Sequence, residues 1–204
     1  MTSTEPSRRE MILDAAVALF RTRGFHGAGI DEIGAAAGIS GPGVYRHFPN
    51  KHALLVAMSQ RVTDRLLVHN SRVKEEESDP TAALARLVRT HVSFVLGSQE
   101  LISVYVQEER SLPEPDRKEI RAKQDRYLNG WVEFLERLAP AADPADLREV
   151  VQTVIGMINS VSHPGSRLAS TRETLERMAM AALMAGAGAI TASGEETRPS
   201  EASD

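Results

Sequence analysis

The sequence predicts an all-α protein, and three observations support that prediction. Apolar residues recur along most of the chain with the period of an amphipathic helix, and no stretch alternates apolar and polar residues as a half-buried strand would. Serine or aspartate capping signals stand at the beginnings of several periodic segments. Glycine and proline occur where these segments end or begin. We therefore expect three short helices followed by about six longer ones.

The composition limits the classes of protein that the chain can represent. Of its 204 residues, 25% are charged and 42% are hydrophobic, as in a soluble globular protein. The absence of cysteine excludes disulfides and thiolate metal sites, and neither a signal peptide nor a membrane span is predicted. The net charge of -4 confines any nucleic-acid binding to a local surface. We expect a cytoplasmic protein that needs no cofactor or metal.

Caps and glycines delimit the first two helices. Ser7 and Glu10 form a capping box that predicts the beginning of the first helix, and Gly24 predicts its end. The second helix is predicted from about Ile30 to Ala37, with two acidic residues in its first turn. Gly38 then allows a tight turn into a third helix.

The third helix is short. Ser40 is a suitable N-cap, Pro42 fits the first turn, and Pro49 ends the helix at about His47. A helix of under two turns does not form alone, so its neighbours must hold it in place. The side chains that do not face inward are then available to a ligand.

The longer helices follow from similar signals, including an Asp143 cap with Pro144 at the first helical position. They are predicted from Lys51 into SRVKEEES, from Pro80 to Gly97, from Ser98 to about Glu109, from after SLPEP to Leu138, from Leu147 to Ser162, and from a capping box at Ser170–Glu173 to about Ile190.

The fourth helix begins with basic residues where acidic ones are preferred. Lys51 and His52 follow an Asn50 cap, although the positive end of the helix dipole favours acids by about 0.3–1 kcal/mol. A phosphate backbone lying across the third and fourth helices would resolve this conflict. Two helices joined by a glycine turn, the second presenting small and polar residues, indicate a helix-turn-helix.

The stretch GFHGAGIDEIGAAAGISGPGVYRHFPNKHALL resembles the N-terminal signature of the TetR family of bacterial repressors. The resemblance implies that residues 41–47 form the recognition helix, that Tyr45, His47 and Lys51 contact phosphates, and that a dimer binds a palindromic double-stranded operator. The DNA-binding residues expected on this basis are Arg9, Gly29, Ser40, Gly41, Pro42, Gly43, Tyr45, Arg46, His47 and Lys51.

The same resemblance implies a division into domains. A disordered N-terminus at 1–7 precedes a three-helix helix-turn-helix DNA-binding domain at 8–51. A six-helix ligand-binding and dimerisation domain follows at 52–192. The extensive apolar surface and small residues of the last two helices predict the homodimer interface, and the composition of SGEETRPSEASD predicts a disordered tail at 193–204.

Three positions depart from the family pattern. Ala28 and Gly29 stand where relatives carry serine or threonine, so a cap hydroxyl and a phosphate contact are lost. Gly43 replaces a small residue that has a side chain, and His52 stands where an acid is common. These departures predict modest DNA affinity or readout led by DNA shape.

Three stretches of the C-terminal half are LISVYVQEERSLPEPDRKEIRAKQDRYLNGWVEFLERL, IGMINSVSHPG and LERMAMAALMAG. They resemble a TetR subgroup common in actinobacteria, whose regulators often sit among lipid and acyl-CoA genes. The resemblance implies an apolar or lipid-like effector, such as a fatty acyl compound or acyl-CoA. Polar and aromatic residues on apolar helix stripes indicate the pocket. The ligand-binding residues expected there are His91, Tyr105, Gln124, Tyr127, Trp131 and Asn159.

Simpler interpretations stay open for these features. His91 and Trp131 could be ordinary core residues, and the last two helices could form a buried core instead of a dimer interface. An enzyme would need a nucleophile with a base, a carboxylate pair or a metal cluster, and the six histidines are scattered. The alternative is a helical lipid-binding or scaffold module with a vestigial helix-turn-helix, because Ala28, Gly29 and Gly43 lack side-chain groups that relatives carry at these positions.

Overall fold

A computed structural model describes residues 7–99, 102, 108–162 and 172–196 of the chain. The described residues form eight α-helices and no strand, which confirms the predicted all-α class. The helices are α1 (Arg8–Gly27), α2 (Ile30–Ala36), α3 (Gly41–Tyr45), α4 (Lys51–Glu76), α5 (Pro80–Gly97), α6 (Glu114–Leu138), α7 (Pro144–Asn159) and α8 (Arg172–Glu196). Short 3-10 turns occupy Glu109–Ser111 and Ser160–Ser162. Within these ranges no helix is long and apolar enough to cross a membrane.

Two compact units divide the chain, and α4 and α6 each contribute residues to both. The first unit comprises the described parts of 1–64 and 98–122, and the second those of 65–97 and 123–204. This division differs from the predicted domain limit at residue 51. The physical reason lies in the core of the first unit, where Leu112 and Ile120 are buried in the same apolar cluster as Ile12 and Phe20.

In the first unit, α1 begins at the predicted capping box and is interrupted at the predicted glycine. The Ser7 hydroxyl accepts from the backbone N–H of Glu10, and the Glu10 carboxylate accepts from the backbone N–H of Ser7. Gly24 has a φ of 70°, which suits glycine, and a further helical turn follows as far as Gly27. The predicted end of α1 at Gly24 is therefore a kink within the helix. Beyond the kink, Phe25 packs edge-on against Phe20.

The turn between α2 and α3 requires close backbone approach. Gly38 has a φ of 70°, and the backbone N–H of Ile39 donates to the carbonyl of Gly34 over 2.9 Å. The hydroxyl of Ser40 caps α3 by accepting from the backbone N–H of Gly43, as predicted. The α-helical part of α3 ends at Tyr45, two residues before the predicted end, and the backbone N–H of His47 still donates to Val44.

In the second unit, α5, α7 and α8 pack together around a buried apolar core. The Asp143 carboxylate caps α7 by accepting from the backbone N–H of Ala145, with Pro144 first in the helix as predicted. Helix α8 extends to Glu196, beyond the predicted end at about Ile190 and into the predicted tail at 193–204, because TASGEE contains no proline to stop it. The predicted capping box at 170–173 and much of the predicted helix at 98–109 lie outside the described residues.

Candidate functional sites: a nucleic-acid surface and a buried polar cluster

Helix α3 is fixed from beneath by two apolar residues and presents polar ones to solvent. Val44 and Phe48 are buried in the core of the first unit, as the sequence predicts. The exposed residues of this segment are Pro42, Tyr45, Arg46 and His47. Tyr45 is 53% exposed. A helix held in this way can present the three polar side chains to the grooves and phosphates of DNA.

Lys51 folds back onto its own chain. Its ammonium Nζ donates to the carbonyl oxygens of Ala28 over 3.0 Å and of His26 over 3.4 Å, and it lies 4.7 Å from the centre of the Phe25 ring. The side chain is half-buried, and these contacts stabilise the segment between α1 and α2. Contact of Lys51 with a phosphate stays a prediction beside this structural role.

Arg9 lies near α3 through an aromatic contact. Its guanidinium carbon is 4.8 Å from the centre of the Phe48 ring, a cation–π geometry. Arg9 lines a cleft of about 360 Å³ together with His47, His52 and Asp116. The arrangement brings two of the predicted DNA-binding residues, Arg9 and His47, to one place.

The segment before α2 shows what replaces the missing cap hydroxyl. Gly29 is the N-cap and has no side chain to offer, but the carboxylate of Glu32 accepts from its backbone N–H over 3.0 Å. The backbone N–H of Gly29, followed by the guanidinium of Arg23, lowers the pKa of the Glu32 carboxyl below its ordinary value. Gly29 therefore has a structural role as the N-cap of α2. The hydrogen bond from Gly29 to Glu32 and the ion pair of Glu32 with Arg23 were not predicted from the sequence.

A chain of hydrogen bonds in the second unit joins three of the predicted ligand-binding residues. The Tyr127 hydroxyl donates to Nδ1 of His91 over 2.9 Å, and Nε2–H of His91 donates to Oδ1 of Asn159 over 3.1 Å. One neutral tautomer of His91 satisfies both bonds. The rings of Tyr127 and His91 stack at 5.7 Å, and Trp131 meets the His91 ring edge-on at 6.1 Å.

This buried polar cluster of His91, Tyr127, Trp131 and Asn159 is held neutral by its surroundings. Burial lowers the pKa of His91 to about 4, against a smaller opposing effect of its hydrogen bond with Asn159. Burial also raises the pKa of the Tyr127 phenol. The nearby indole N–H of Trp131 opposes that rise, although its geometry is not that of a good hydrogen bond. Trp131 is fully buried, and its N–H has no hydrogen-bond partner among the described residues.

Gln124 and Tyr105 are the two remaining predicted ligand-binding residues. Gln124 is half-buried one helical turn before Tyr127, and the hydrogen bonds above are made by other residues. Tyr105 lies outside the described residues. Asn70 was not predicted, although its amide Nδ2 donates to the carbonyl of Tyr127 over 2.9 Å and packs against Gly130. No periodic or motif signal marks Asn70 in the sequence.

A groove of about 810 Å³ runs between α7 and α8 in the second unit. The helices approach closely there, since a Cβ atom at Gly186 would fall 2.7 Å from Cγ1 of Val150. Two large apolar side chains of α8, Met178 and Met184, are 41% and 36% exposed.

Over the ranges that the structure describes, no group of three or more histidine or carboxylate side chains could hold a metal ion.

The first unit is thus a helix-turn-helix, which defines a DNA-binding class of protein. The family model for bacterial regulatory proteins of the tetR family matches residues 12–58, and the model for the tetracyclin repressor-like C-terminal domain matches residues 77–163. The chain belongs to the TetR family of bacterial regulatory proteins. The family consists of transcriptional regulators and not of enzymes.

A named relative agrees with this assignment. The chain is 36% identical over 88 residues to the HTH-type transcriptional activator FasR of Mycolicibacterium smegmatis. That match covers 43% of this chain and 40% of FasR, so the chain spans well under half of this relative's length.

Two solved structures share the fold. AibR in complex with isovaleryl coenzyme A and operator DNA has a TM-score of 0.70 at 24% identity, covering 85% of this chain and 96% of that one. FadR from Bacillus subtilis in complex with stearoyl-CoA has a TM-score of 0.69 at 20% identity, covering 84% of this chain and 97% of that one. At these identities the likeness establishes the fold alone.

Proposed function

We propose that this regulator binds a palindromic operator as a dimer and that an apolar, fatty-acyl-like effector bound in the second unit releases it from DNA. The observation that carries the proposal is the exposure of Tyr45, Arg46 and His47 on a helix whose other side is anchored by Val44 and Phe48. One such helix reads few bases, and two-fold pairing doubles the readout. A protein with this role acts in the cytoplasm, where the chromosome is.

The dimer forms through α7 and α8. Supporting observations are the groove between these helices, the close approach at Gly186, and the exposed Met178 and Met184 on α8. A two-fold axis would pair this surface with its own copy in a four-helix interface. The double variant M178E/M184E is expected to be monomeric by light scattering at micromolar concentration and to lose operator affinity. An unchanged dimer would exclude this surface as the interface.

The effector is bound beside the buried polar cluster. Tyr127, His91 and Asn159 supply a neutral hydrogen-bonding end in an apolar surrounding, which suits a ligand with a long apolar part and one polar group. The solved neighbours AibR and FadR bind isovaleryl coenzyme A and stearoyl-CoA, and these names favour a fatty acyl compound or acyl-CoA here. The effector would change the separation of the two recognition helices, with a coupling of about 1–3 kcal/mol.

The test follows DNA binding and effector binding together. Anisotropy of labelled DNA from upstream of the protein's own gene reports operator binding, and emission of Trp131, the single tryptophan, reports the cluster. Fatty acids and acyl-CoAs of several chain lengths are titrated, with free CoA as the control. We expect one chain-length class to change Trp131 emission and weaken DNA binding over the same concentration range.

Three results would change the proposal. Tighter DNA binding with effector would show that the effector promotes operator binding instead of releasing it. This outcome is tested because the relative FasR is named a transcriptional activator. Release from DNA without any change of Trp131 emission would place the effector away from the buried polar cluster. Effector binding without any sequence-specific DNA binding would favour the helical lipid-binding module with a vestigial helix-turn-helix.

A further inference from the structure

The carboxylate of Asp31 occupies the space that a side chain at the beginning of α3 would need. Asp31 is the second residue of α2, and Gly41 is the first residue of α3. A Cβ atom at Gly41 would fall 1.7 Å from Oδ1 of Asp31 and 2.9 Å from its Cγ, closer than real Cβ atoms come to any heavy atom. The Asp31 side chain thus lies directly on the backbone of Gly41, which it helps to bury.

Asp31 differs from its neighbour Glu32 in the polar contacts of its carboxylate. Glu32 accepts from the backbone N–H of Gly29 and pairs with Arg23. Asp31 is exposed, and its carboxylate has no hydrogen bond or ion pair within the part of the chain that the structure describes. An acid in the first turn of α2 is favoured by the helix dipole, but the dipole does not require it to cover Gly41.

The first turn of α3 lacks side chains that could read bases. Residues 41–43 are glycine, proline and glycine, so they offer no hydrogen-bonding side chain. The side chain that occupies the vacant space at residue 41 is the Asp31 carboxylate, which only accepts hydrogen bonds. In the major groove, cytosine N4 and adenine N6 are donors, whereas guanine and thymine present acceptors. The N7 acceptor beside adenine N6 repels a carboxylate, so cytosine N4 is its better partner. Phosphates repel a carboxylate, so Asp31 gains from DNA only through a base-edge donor.

We propose that Asp31 is a specificity-determining residue, which accepts a hydrogen bond from the N4 amino group of one cytosine in each operator half-site. Gly41 makes this possible because it leaves room for the carboxylate at the beginning of the recognition helix. This inference rests on the proposed binding of an operator by α2 and α3.

The test is selection of bound sequences from a random double-stranded DNA pool by the full chain and its variants. The wild type should select a palindrome with one cytosine per half-site preferred roughly tenfold, the discrimination of one good base contact. In D31A this preference should be lost at that position alone. In D31N it should move toward adenine, which asparagine recognises through N6 and N7. E75Q removes one exposed carboxylate from the end of α4 and should leave the sequence profile unchanged.

A second variant links the preference to the Asp31–Gly41 contact. G41A should displace the Asp31 carboxylate and weaken the same cytosine preference, and in the D31A background it should have no further effect on that position. Circular dichroism and thermal melting confirm that each variant is folded.

The outcomes separate the inference from the function on which it rests. A wild-type palindrome whose profile is unchanged in D31A, or reduced equally at all positions, overturns the role of Asp31 and leaves operator binding standing. If the folded wild type enriches no sequence, operator binding fails and the inference fails with it.

Discussion

The ammonium of Lys51 donates a hydrogen bond to the carbonyl oxygen of Ala28 over 3.0 Å, across 23 positions of sequence. The same ammonium lies over the Phe25 ring, so the first residue of α4 stabilises the segment that leads from α1 into α2. An ammonium group has three donors, and one can serve a phosphate while others hold the carbonyls. Lys51 can therefore contribute both to the stability of the first unit and to its affinity for DNA.

Removing the ammonium should affect both properties. We expect Lys51→Met to lower the free energy of unfolding by about 1–2 kcal/mol, because a partly buried carbonyl loses a charged donor. Operator binding should weaken for all sequences alike, and the slope of log affinity against log salt should fall by about one unit per half-site. Lys118→Met, in an exposed pair with Glu114, is the control for net charge. A loss of stability with an unchanged salt slope would restrict Lys51 to its structural role.

Tyr45 provides a test without a structural component. Its side chain is 53% exposed, so Tyr45→Phe removes only a hydroxyl from the surface of α3 and should leave the melting temperature unchanged. If the hydroxyl donates to a phosphate, operator and non-operator DNA should both bind several-fold more weakly, because phosphate contacts carry no sequence information. A loss confined to one base position in binding to operator variants would show that Tyr45 contacts a base edge instead.

Stability should depend on pH through His91. Its pKa is lowered to about 4 in the folded protein, against about 6.5 in the unfolded chain, so protons bind the unfolded state preferentially between these values. The contribution is fully present above about pH 6.5 and is lost as the pH falls toward 4, by up to about 3 kcal/mol. In urea unfolding at pH 7, 5.5 and 4.5, His91→Gln should show a weaker decline than the wild type.

The exposed His47 supplies the matched control for this measurement. His47→Gln should reproduce the wild-type decline, because no buried neutral imidazole is removed. Equal declines in the wild type and His91→Gln would mean that other groups cause the loss of stability at acidic pH, such as carboxylates or His69, whose pKa is also lowered, chiefly by burial.

Asn70 and Gly130 are predicted to be energetically coupled. A Cβ atom at Gly130 would fall 2.7 Å from Nδ2 of Asn70, which donates to the carbonyl of Tyr127. Gly130→Ala should therefore destabilise the wild type even though alanine favours a helix by about 1 kcal/mol over glycine. In an Asn70→Ala background the same change should stabilise the protein by about 0.5–1 kcal/mol.

A control for this cycle exists in α7. A Cβ atom at Gly156 would meet nothing within 4 Å, so Gly156→Ala should be stabilising in both backgrounds. Thermal unfolding of the single and double variants measures the coupling. Additive effects of Gly130→Ala and Asn70→Ala would show that Asn70 can move aside without cost.

Local sequence signals were enough to predict the helical class, most helix boundaries and the exposure of Tyr45, Arg46 and His47, whereas Gly41, also expected to face solvent, is buried. These features depend on residues a few positions apart, such as the Ser7–Glu10 capping box, the Ser40 and Asp143 caps, and the alternation of buried Val44 and Phe48 with exposed residues. Helical periodicity also placed His91, Tyr127 and Asn159 on apolar faces, and the structure joins these three by hydrogen bonds.

Only the tertiary packing determines which residues contact one another and how much space each contact needs. Lys51 on Ala28, Asn70 on Gly130, and Asp31 on Gly41 join residues from different helices and turns. Leu112 and Ile120 likewise share a core with α1, although the sequence places them far beyond the DNA-binding signature. Such contacts depend on how whole helices pack, and packing is set by the summed burial of many side chains. No local pattern around any one of these residues records its partner.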